Sequence, residues 1–276
     1  MNSFICPVCG SPLTEAGKSC VCRNNHSFDF SRSGYINLLM SGQSKLKRHG
    51  DDKAMVRARR DFLEKGYYSP LRDAVISALS DLPDNPVILD AGCGECWYTE
   101  GTAVALQKKK PEIFGIDISK NALELAKNRS AAIKRAVASV YKIPLADCSC
   151  DAVIDIFAPI ADSEFARVLK PKGLLVIAVP AEEHLFSLKQ AVYDIPYKNP
   201  SVNISPTGFK LVNRQYVKSK LCFSSNSDIL NLFMMTPYYY KTSRKDFEKL
   251  QSINSLDVEA EFVVLVFEKP SIEGVS

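Results

Sequence analysis

Residues 87–96 read Val-Ile-Leu-Asp-Ala-Gly-Cys-Gly-Glu-Cys, and this stretch decides the fold. Its apolar half predicts a buried strand, and the two glycines predict a tight turn that leads into a helix. Glycine lets a backbone approach a bound ligand where a Cβ atom would collide. The stretch therefore predicts a ligand-binding turn at the carboxyl end of a strand in an α/β fold.

The residues around this turn favour one class of nucleotide ligand. Dinucleotide-binding turns carry a third glycine and place a pyrophosphate at the helix N-terminus, but here Trp97 stands three residues after Gly94 and Asp90 precedes the turn. A phosphate is therefore disfavoured. S-adenosylmethionine fits better, because Asp90 or Glu95 can balance its ammonium and sulfonium charges. A nicotinamide-dependent oxidoreductase is the alternative enzyme.

A second acidic residue supports the same ligand. Asp117 ends the next apolar run, 25 residues after Gly92. A carboxylate at the tip of the second strand can accept hydrogen bonds from both ribose hydroxyls of an adenosyl group. Alternatively, Asp117 caps a helix in an unrelated α/β enzyme. The combination of Asp90, Gly92, Gly94 and Asp117 is typical of class I methyltransferases.

Apolar runs and helical patterns alternate along the rest of the chain. The predicted strands are Val87–Ala91, 113–118, 136–140, 152–157, 174–179, 216–223 and 261–268. The predicted helices are 70–82, 97–109, 120–129, 163–169 and 182–193. This order predicts a class I, Rossmann-like α/β domain with a seven-stranded, mostly parallel sheet covered on both faces.

Ligands of such sheets bind beyond the carboxyl ends of the strands. That rule places residues 139–141 and 157–159 near the ligand, so Ser139 and Phe157 join the expected cofactor-binding residues Asp90, Gly92, Gly94, Glu95 and Asp117. Phe157 either stacks on a base or belongs to the core. Residues 55–68 form a helical pattern that could cover the cofactor, and residues 194–211 read as a long loop above the strand ends.

The first residues carry a pattern typical of a metal site. Cys6, Cys9, Cys22 and His26 form C-x2-C-x12-C-x3-H. Thiolate and imidazole ligands favour Zn²⁺, and a closed set of four indicates one structural ion per chain. Cys20 competes with Cys22 as a ligand, and a disulfide or free thiols are the other interpretations. An intracellular chain disfavours the disulfide.

Composition and charge suggest an organisation in three parts. Residues 1–38 are predicted to form the zinc-binding module, 39–69 a linker and cofactor-covering helix, and 70–276 the methyltransferase domain. Residues 1–72 hold 12 Lys/Arg against 6 Asp/Glu, whereas the remainder holds 23 against 25. The basic first quarter, including Lys45, Lys47 and Arg48, suggests an anionic partner such as nucleic acid, or simply a solvated surface. No signal peptide or membrane span is predicted, so we expect a cytoplasmic protein.

These motifs together resemble the RlmA-type 23S rRNA (guanine-N1)-methyltransferases along nearly the whole chain. The resemblance rests on the zinc motif, Gly34-Tyr35-Ile36-Asn37, Gly50-Asp51, Gly66, Tyr68, the turn at 89–95, Tyr98-Thr99, Gly115-Ile116-Asp117, Phe157-Ala158-Pro159, His184-Leu185 and Met235-Thr236-Pro237. The family usually has glycine where this chain has Cys96, so the turn must accept a Cβ atom there.

The resemblance implies methyl transfer from S-adenosylmethionine to N1 of a guanine in a 23S rRNA stem-loop. It also implies that the zinc module helps to grip the RNA, that the protein is a homodimer, and that Tyr68 and Tyr98 join the cofactor-binding residues. Two other functions stay open: a zinc-dependent RNA-binding protein whose activity is lost through Cys96, and a small-molecule methyltransferase.

The sequence does not identify a catalytic base. Removal of the guanine N1 proton would be helped by a general base with a suitable pKa. Asp155 lies on the strand that leads to Phe157, and His184 follows the fifth predicted strand. Either residue is a weak candidate, because such side chains more often have a structural role.

Overall fold

The computed structural model describes residues 3–40 and 51–271. Their strands are β1 (Leu13–Ala16), β2 (Ser19–Cys22), β3 (Ser27–Asp29), β4 (Tyr35–Asn37), β5 (Val87–Ala91), β6 (Glu112–Asp117), β7 (Ile133–Val137), β8 (Cys150–Ile156), β9 (Leu169–Pro180), β10 (Lys210–Phe223) and β11 (Leu256–Glu268). Their helices are α1 (Lys53–Glu64), α2 (Ser69–Ser77), α3 (Trp97–Ala105), α4 (Lys120–Leu125), α5 (Asp162–Val168), α6 (Phe186–Val192), α7 (Asn226–Met234) and α8 (Arg244–Gln251).

One large sheet organises the fold. Its strand order is β10-β11-β9-β8-β5-β6-β7-β4, and β11 lies antiparallel between β9 and β10 while the strands from β9 to β4 pair in parallel. All seven predicted strands occur in it, so the predicted mostly parallel sheet is confirmed. The strand number is corrected from seven to eight, because β4 adds three residues beside β7. A run that short carries no recognisable period.

The sheet separates two hydrophobic clusters, because successive side chains of a strand point to opposite faces. Ile88 of β5 packs on the face covered by α1, α2, α6 and α7. Its neighbour Leu89 packs on the other face, together with Phe165 of α5 and with Phe4 and Ile36 from the first 38 residues. The continuous apolar sequence of β5 is thus explained by burial on both faces.

The N-terminal strands β1, β2 and β3 form a small antiparallel sheet that docks on the second face. The Phe4 ring meets the Phe114 ring of β6 edge to face at 5.0 Å. The Ile5 backbone N–H donates a hydrogen bond to the Pro144 carbonyl at 2.8 Å. The first 38 residues therefore share a core with the large sheet.

Several element boundaries differ from the predicted ones for local reasons. The third strand was expected at 136–140 but lies at 133–137. Its earlier start was missed because Arg135 is charged, yet this side chain is buried in the strand and donates to the Ala126 carbonyl. The helical pattern expected at 55–68 ends early: α1 stops at Glu64, and Gly66, with a φ of +76°, turns the chain before α2 begins at Ser69. Helices α7 and α8 were not predicted. Residues 41–50, with Lys45, Lys47, Arg48 and Gly50, lie outside the described residues.

The long loop expected at 194–211 connects α6 to β10. Its anchor is Lys189 of α6, which is buried and donates to the Tyr197 carbonyl at 3.0 Å and to Asn199 Oδ1 at 2.7 Å. The ammonium also lies 4.4 Å from the centre of the Tyr197 ring. A buried cation that is held by oxygens and an aromatic face fixes the loop to the helix.

Candidate active site and metal centre

A cleft of about 690 Å³ opens beyond the carboxyl ends of β5, β6, β7, β8 and β9. This volume is in the range of small-molecule sites. The structure brings every expected cofactor-binding residue to its wall: Tyr68, Asp90, Gly92, Gly94, Glu95, Tyr98, Asp117, Ser139 and Phe157. His184 also lines it, whereas Asp155 does not. The topology therefore gathers residues that are far apart in sequence around one space.

Gly92 allows the turn after β5 to lie close to the end of β8. Its φ is +91°, and a Cβ atom on it would lie 2.5 Å from the Cβ of Ala158, which follows β8. The carbonyl of Ile116 accepts the N–H groups of both Gly92 and Cys93 at 2.8 and 3.0 Å. Only glycine combines this φ with this close approach.

Asp117 connects the turn to the end of β6. Its Oδ2 accepts the Gly94 N–H at 2.8 Å, and its Oδ1 accepts the Ser119 N–H at 2.7 Å. Burial raises the pKa of Asp117, and these two backbone donors act against that shift. A carboxylate oxygen has two lone pairs, so each oxygen can accept a further hydrogen bond. Two adjacent ribose hydroxyls would supply such donors.

Asp90 is the carboxylate at the end of β5 and is only 2% exposed. Its Oδ2 accepts the Thr99 hydroxyl at 2.6 Å. Burial raises the pKa of Asp90 to about 7, the Thr99 hydrogen bond lowers it, and the nearby charge of Asp117 raises it. A cation bound beside Asp90 would favour the ionised carboxylate.

Glu95 lines the cleft, but its charge is already offset. Arg129 donates to Glu95 Oε2 at 2.6 Å and also pairs with Glu64 and Glu100 at 2.5 and 2.8 Å. Burial raises the pKa of Glu95, and the Arg129 guanidinium lowers it. Of the two carboxylates that the sequence offered to balance a cationic ligand, Asp90 is thus the one that has no cationic partner among residues 3–40 and 51–271.

Tyr68 and Tyr98 both line the cleft. Within residues 3–40 and 51–271, the buried Tyr98 hydroxyl has no hydrogen-bond partner. The Tyr68 hydroxyl lies 3.5 Å from His184 Nε2. Burial raises the pKa of both phenols, so both remain neutral donors. A carboxylate oxygen of a bound ligand would accept hydrogen bonds from both hydroxyls.

His184 does not offer a free lone pair to the cleft. Its Nδ1 accepts the Glu261 N–H at 3.1 Å, and burial lowers the pKa of the ring to about 3. A neutral ring whose Nδ1 accepts must carry its proton on Nε2. Nε2 therefore donates toward Tyr68, and His184 in this tautomer cannot remove a proton.

Asp155, unlike His184, does not line the cleft. It is buried behind the cleft wall, and Oδ1 accepts the Ala158 N–H at 3.3 Å. Among the described residues nothing hydrogen-bonds to Oδ2. Burial raises the pKa of Asp155 to about 7. The carboxyl supports the 157–159 turn from below rather than reaching the space above it.

Phe157 has an unusual backbone for an aromatic residue. Its φ is +58°, and its side chain remains 45% exposed at the cleft, 5.8 Å from the Phe262 ring. Non-glycine residues adopt this conformation at a cost of order 1–3 kcal/mol. A core aromatic would need neither the strain nor the exposure, so the ligand-facing interpretation of Phe157 is favoured.

Two parts of the cleft wall were not among the expected cofactor-binding residues. Asp51 and Arg59 form an ion pair of 2.5 Å at the rim, and Arg59 also contacts the Met235 carbonyl at 3.4 Å. Residues 235–238 complete this wall, with Tyr238 donating to Asn199 Oδ1 at 3.0 Å. The signal for residues 235–237 was present only in the resemblance, because their place at the cleft depends on long-range packing.

Cys96 does not enter the cleft. It has a φ of +64° at the start of α3, and its side chain is fully buried. Its Sγ lies 3.6 Å from Cys93 Sγ, in space that the absence of a side chain on Gly115 leaves free. The additional Cβ is thus accommodated behind the turn, so it does not explain a loss of cofactor binding.

Cys6, Cys9, Cys22 and His26 converge, with all four ligand atoms within 4.8 Å of one another. His26 Nδ1 lies 3.5 Å from Cys6 Sγ and 3.3 Å from Cys22 Sγ, and Cys9 Sγ lies 3.7 Å from Cys22 Sγ. A tetrahedral Zn²⁺ with ordinary Zn–S and Zn–N bonds needs edges of roughly 3.6–3.8 Å. The site fits zinc, and Cys20 is not part of the cluster.

Comparison with known proteins agrees with both sites. Residues 4–46 match the zinc-ribbon family described as RlmA, N-terminal, and residues 89–177 match a methyltransferase domain. YxjB of Bacillus subtilis (strain 168), a candidate 23S rRNA (guanine-N1)-methyltransferase, is 31% identical over 96% of each chain. The chain belongs to the RlmA-type family.

A second relative and a solved structure extend this result. The 23S rRNA (guanine(748)-N1)-methyltransferase of Streptomyces fradiae is 32% identical over 68% of this chain and 66% of its own. Phosphoethanolamine N-methyltransferase 2 of Haemonchus contortus, solved with S-adenosyl-L-methionine, has a TM-score of 0.51 at 16% identity, over 94% of this chain and 71% of that one. The latter likeness shows the class I fold.

The cofactors expected for this family are S-adenosylmethionine and a structural zinc ion, and both sites have suitable residues. Within the described ranges, every helix is too short or too polar to cross a bilayer.

The pKa of Asp90 predicts how cofactor binding depends on pH. Only the ionised carboxylate attracts the cationic cofactor, so affinity should be constant above about pH 7 and fall by up to about tenfold per unit below it. Calorimetric titration with S-adenosylmethionine between about pH 5.5 and pH 8 measures this. Asp90→Asn should bind weakly with no such dependence. A parent affinity that stays constant over this range contradicts the role of Asp90.

The position of Cys96 predicts a neutral substitution. Because its side chain points away from the cleft, Cys96→Gly should change the S-adenosylmethionine dissociation constant by less than about threefold, or about 0.7 kcal/mol. Parent and variant are compared by calorimetry under the same conditions. Tenfold tighter binding by the variant would mean that the cysteine does hinder the cofactor.

Proposed function

We propose that this protein transfers a methyl group from S-adenosylmethionine to N1 of a guanine in a hairpin loop of 23S rRNA. The observation that carries the proposal is the cleft at the strand ends, where Gly92, Asp90 and Asp117 meet beside a docked zinc ribbon. Relatives that are 31 and 32% identical to this chain bear the name of that reaction.

We assign different parts of the cofactor to different residues along the cleft. Asp117 would hold the ribose hydroxyls, with Ser139 on the adenine side and Gly92 and Gly94 leaving room for the backbone to approach. Asp90 would face the cationic end, and the hydroxyls of Tyr68 and Tyr98 would donate to the methionyl carboxylate. This assignment gives the partnerless Tyr98 hydroxyl an acceptor and gives Asp90 a cation.

For the metal we propose one structural Zn²⁺ per chain, bound by Cys6, Cys9, Cys22 and His26. Zinc would supply folding energy that a segment of this size lacks. We keep the three functional regions proposed from the sequence: residues 1–38 for zinc and RNA recognition, 39–69 for linking and covering the cofactor, and 70–276 for methyl transfer.

The proposed reaction depends mainly on positioning. Guanine N1 bonds to the methyl carbon as its own proton leaves, and the departing thioether sulfur must lie in line with both atoms. The cofactor supplies the activated methyl group when bound. Phe157 offers an apolar face at the rim for a base that has been unstacked from its loop. His184 and Asp155 are committed elsewhere, so neither takes the base role, and we propose that the N1 proton passes to water.

The proposal also covers the RNA-binding region, the oligomeric state and the localisation of the protein. We propose that the basic first quarter meets the rRNA, that the protein acts as a homodimer, and that it is cytoplasmic. Static light scattering of the zinc-loaded protein would test the dimer: a mass near that of one 30.6 kDa chain contradicts it.

Primer extension across 23S rRNA tests the reaction directly. A methyl group on N1 blocks the pairing edge, so reverse transcriptase should stop one nucleotide before the modified guanine. The stop should require both protein and cofactor. Asp117→Ala loses two ribose hydrogen bonds and should methylate about tenfold more slowly at limiting cofactor.

The other outcomes separate the alternatives. If no stop appears although the protein binds the cofactor, the substrate is a small molecule. If the protein binds rRNA but not the cofactor, it is an RNA-binding protein. Either outcome contradicts the proposed reaction.

A further inference from the structure

The turn that follows β7 contacts both the cleft and the zinc ribbon. Ser139, Val140 and Tyr141 line the cleft. The turn is held by its own hydrogen bonds, in which the Tyr141 N–H donates to Ser139 Oγ at 3.2 Å and the Lys142 N–H donates to the Ser139 carbonyl at 3.0 Å. Its side chains therefore project from a fixed backbone.

The far side of this turn touches the zinc-binding loop of residues 6–9. Lys142 Nζ lies 3.5 Å from the Pro7 carbonyl, between Cys6 and Cys9. The next residues continue the contact, since the Pro144 carbonyl accepts the Ile5 N–H. The rim of the cleft and the zinc-binding loop thus form one continuous surface.

Tyr141 stands out among the tyrosines of the cleft. The rings of Tyr68, Tyr98 and Tyr238 each pack against another aromatic ring. Tyr141 is 65% exposed, and within the part of the chain that the structure describes no aromatic ring stacks on its ring and no group hydrogen-bonds to its hydroxyl. An exposed aromatic ring on a fixed turn at the edge of a binding cleft provides a flat surface for stacking.

The neighbouring side chain adds the complementary charge. Lys142 is exposed, and within the described residues it has no ion pair. Proteins that bind unpaired RNA combine aromatic rings, on which bases stack, with cations that meet the phosphates. Tyr141 and Lys142 offer both elements at adjacent positions, at the point where the ribbon meets the cleft.

We propose that Tyr141 and Lys142 bind one unpaired RNA nucleotide next to the target guanine, with the Tyr141 ring stacked on its base and the Lys142 ammonium paired with its phosphate. This proposal rests on the proposed function and deepens it by assigning how the hairpin loop is held at the cleft. The adenine of the cofactor would instead lie against the buried residues of the same turn, Ala138 and Val140.

The test compares Tyr141→Ala with a matched control at a distant site. Tyr216 is 68% exposed on β10, which forms the opposite edge of the large sheet from β4. The probe is the unmodified 23S rRNA hairpin transcript that contains the target guanine. Its affinity is measured by fluorescence anisotropy, at one fixed salt concentration for the Tyr141 and Tyr216 variants and over a series of salt concentrations for the parent and Lys142→Ala. Calorimetry with S-adenosylmethionine and the thermal midpoint are measured for each zinc-loaded variant.

Tyr141→Ala should bind the hairpin about tenfold more weakly, while its cofactor affinity stays at the parent value. Tyr141→Phe keeps the ring and should bind within about twofold of the parent. Lys142→Ala should reduce the slope of log affinity against log salt by about 0.7 to 1. Tyr216→Ala should match the parent in every measurement.

Two results would overturn the proposal. Equal RNA affinities for Tyr141→Ala and Tyr216→Ala would remove the stacking role, and a loss confined to cofactor binding would assign the ring to the adenine. If the parent binds the hairpin without methylating it, the proposed function is contradicted instead. The RNA affinities of the variants then still test whether Tyr141 stacks on a base.

Discussion

The contact between the turn after β5 and the end of β8 constrains the whole site. At Gly92 a Cβ atom would meet that of Ala158 at 2.5 Å, so the two strand ends can approach this closely only when residue 92 has no side chain. The same turn is then held by the Ile116 carbonyl and by the Asp117 carboxylate from the neighbouring strand. Three strand ends thereby fix the floor of one cleft, and the carboxylates at positions 90 and 117 take their places from it.

The zinc ribbon is the second constraint, because it belongs to the same core. Phe4 and Ile36 fill the face of the sheet that α5 leaves partly open, and β4 extends the sheet beyond β7. The residues that hold the metal therefore lie a short distance along the chain from those that pack against the cofactor domain. The metal-binding loop therefore contacts the turn whose residues 139–141 line the cleft, through Lys142 and the Pro7 carbonyl.

Local signals in the sequence account for much of this architecture. Three features depend only on a few neighbouring residues and can be recognised without a structure. They are the glycine turn, Asp117 at the end of a strand, and the spacing of the cysteines and His26. Strand β7 was misplaced because Arg135 is buried through a contact with Ala126, and β4 was missed because three residues have no period.

The charges and protonation states of the site were less predictable, since distant residues determine them. Glu95 is neutralised by Arg129, and the proton of His184 is placed by the backbone of Glu261 in β11. The wall at residues 235–238 also depends on an element far along the chain, since Arg59 of α1 contacts the Met235 carbonyl. Whether Cys96 obstructs the cleft depended on space beside Gly115, which the sequence does not reveal.

The most direct test of this account is a calorimetric titration of S-adenosylmethionine into Gly92→Ala, with Gly17→Ala as control. Gly17 has a similar φ of +64°, but a Cβ atom there meets nothing within 4 Å. We expect one site per chain in the parent and in Gly17→Ala, binding at least about tenfold weaker in Gly92→Ala, and partial recovery when Ala158→Gly is added. A parent that gives no heat, or a Gly92→Ala variant with parental affinity, would contradict it.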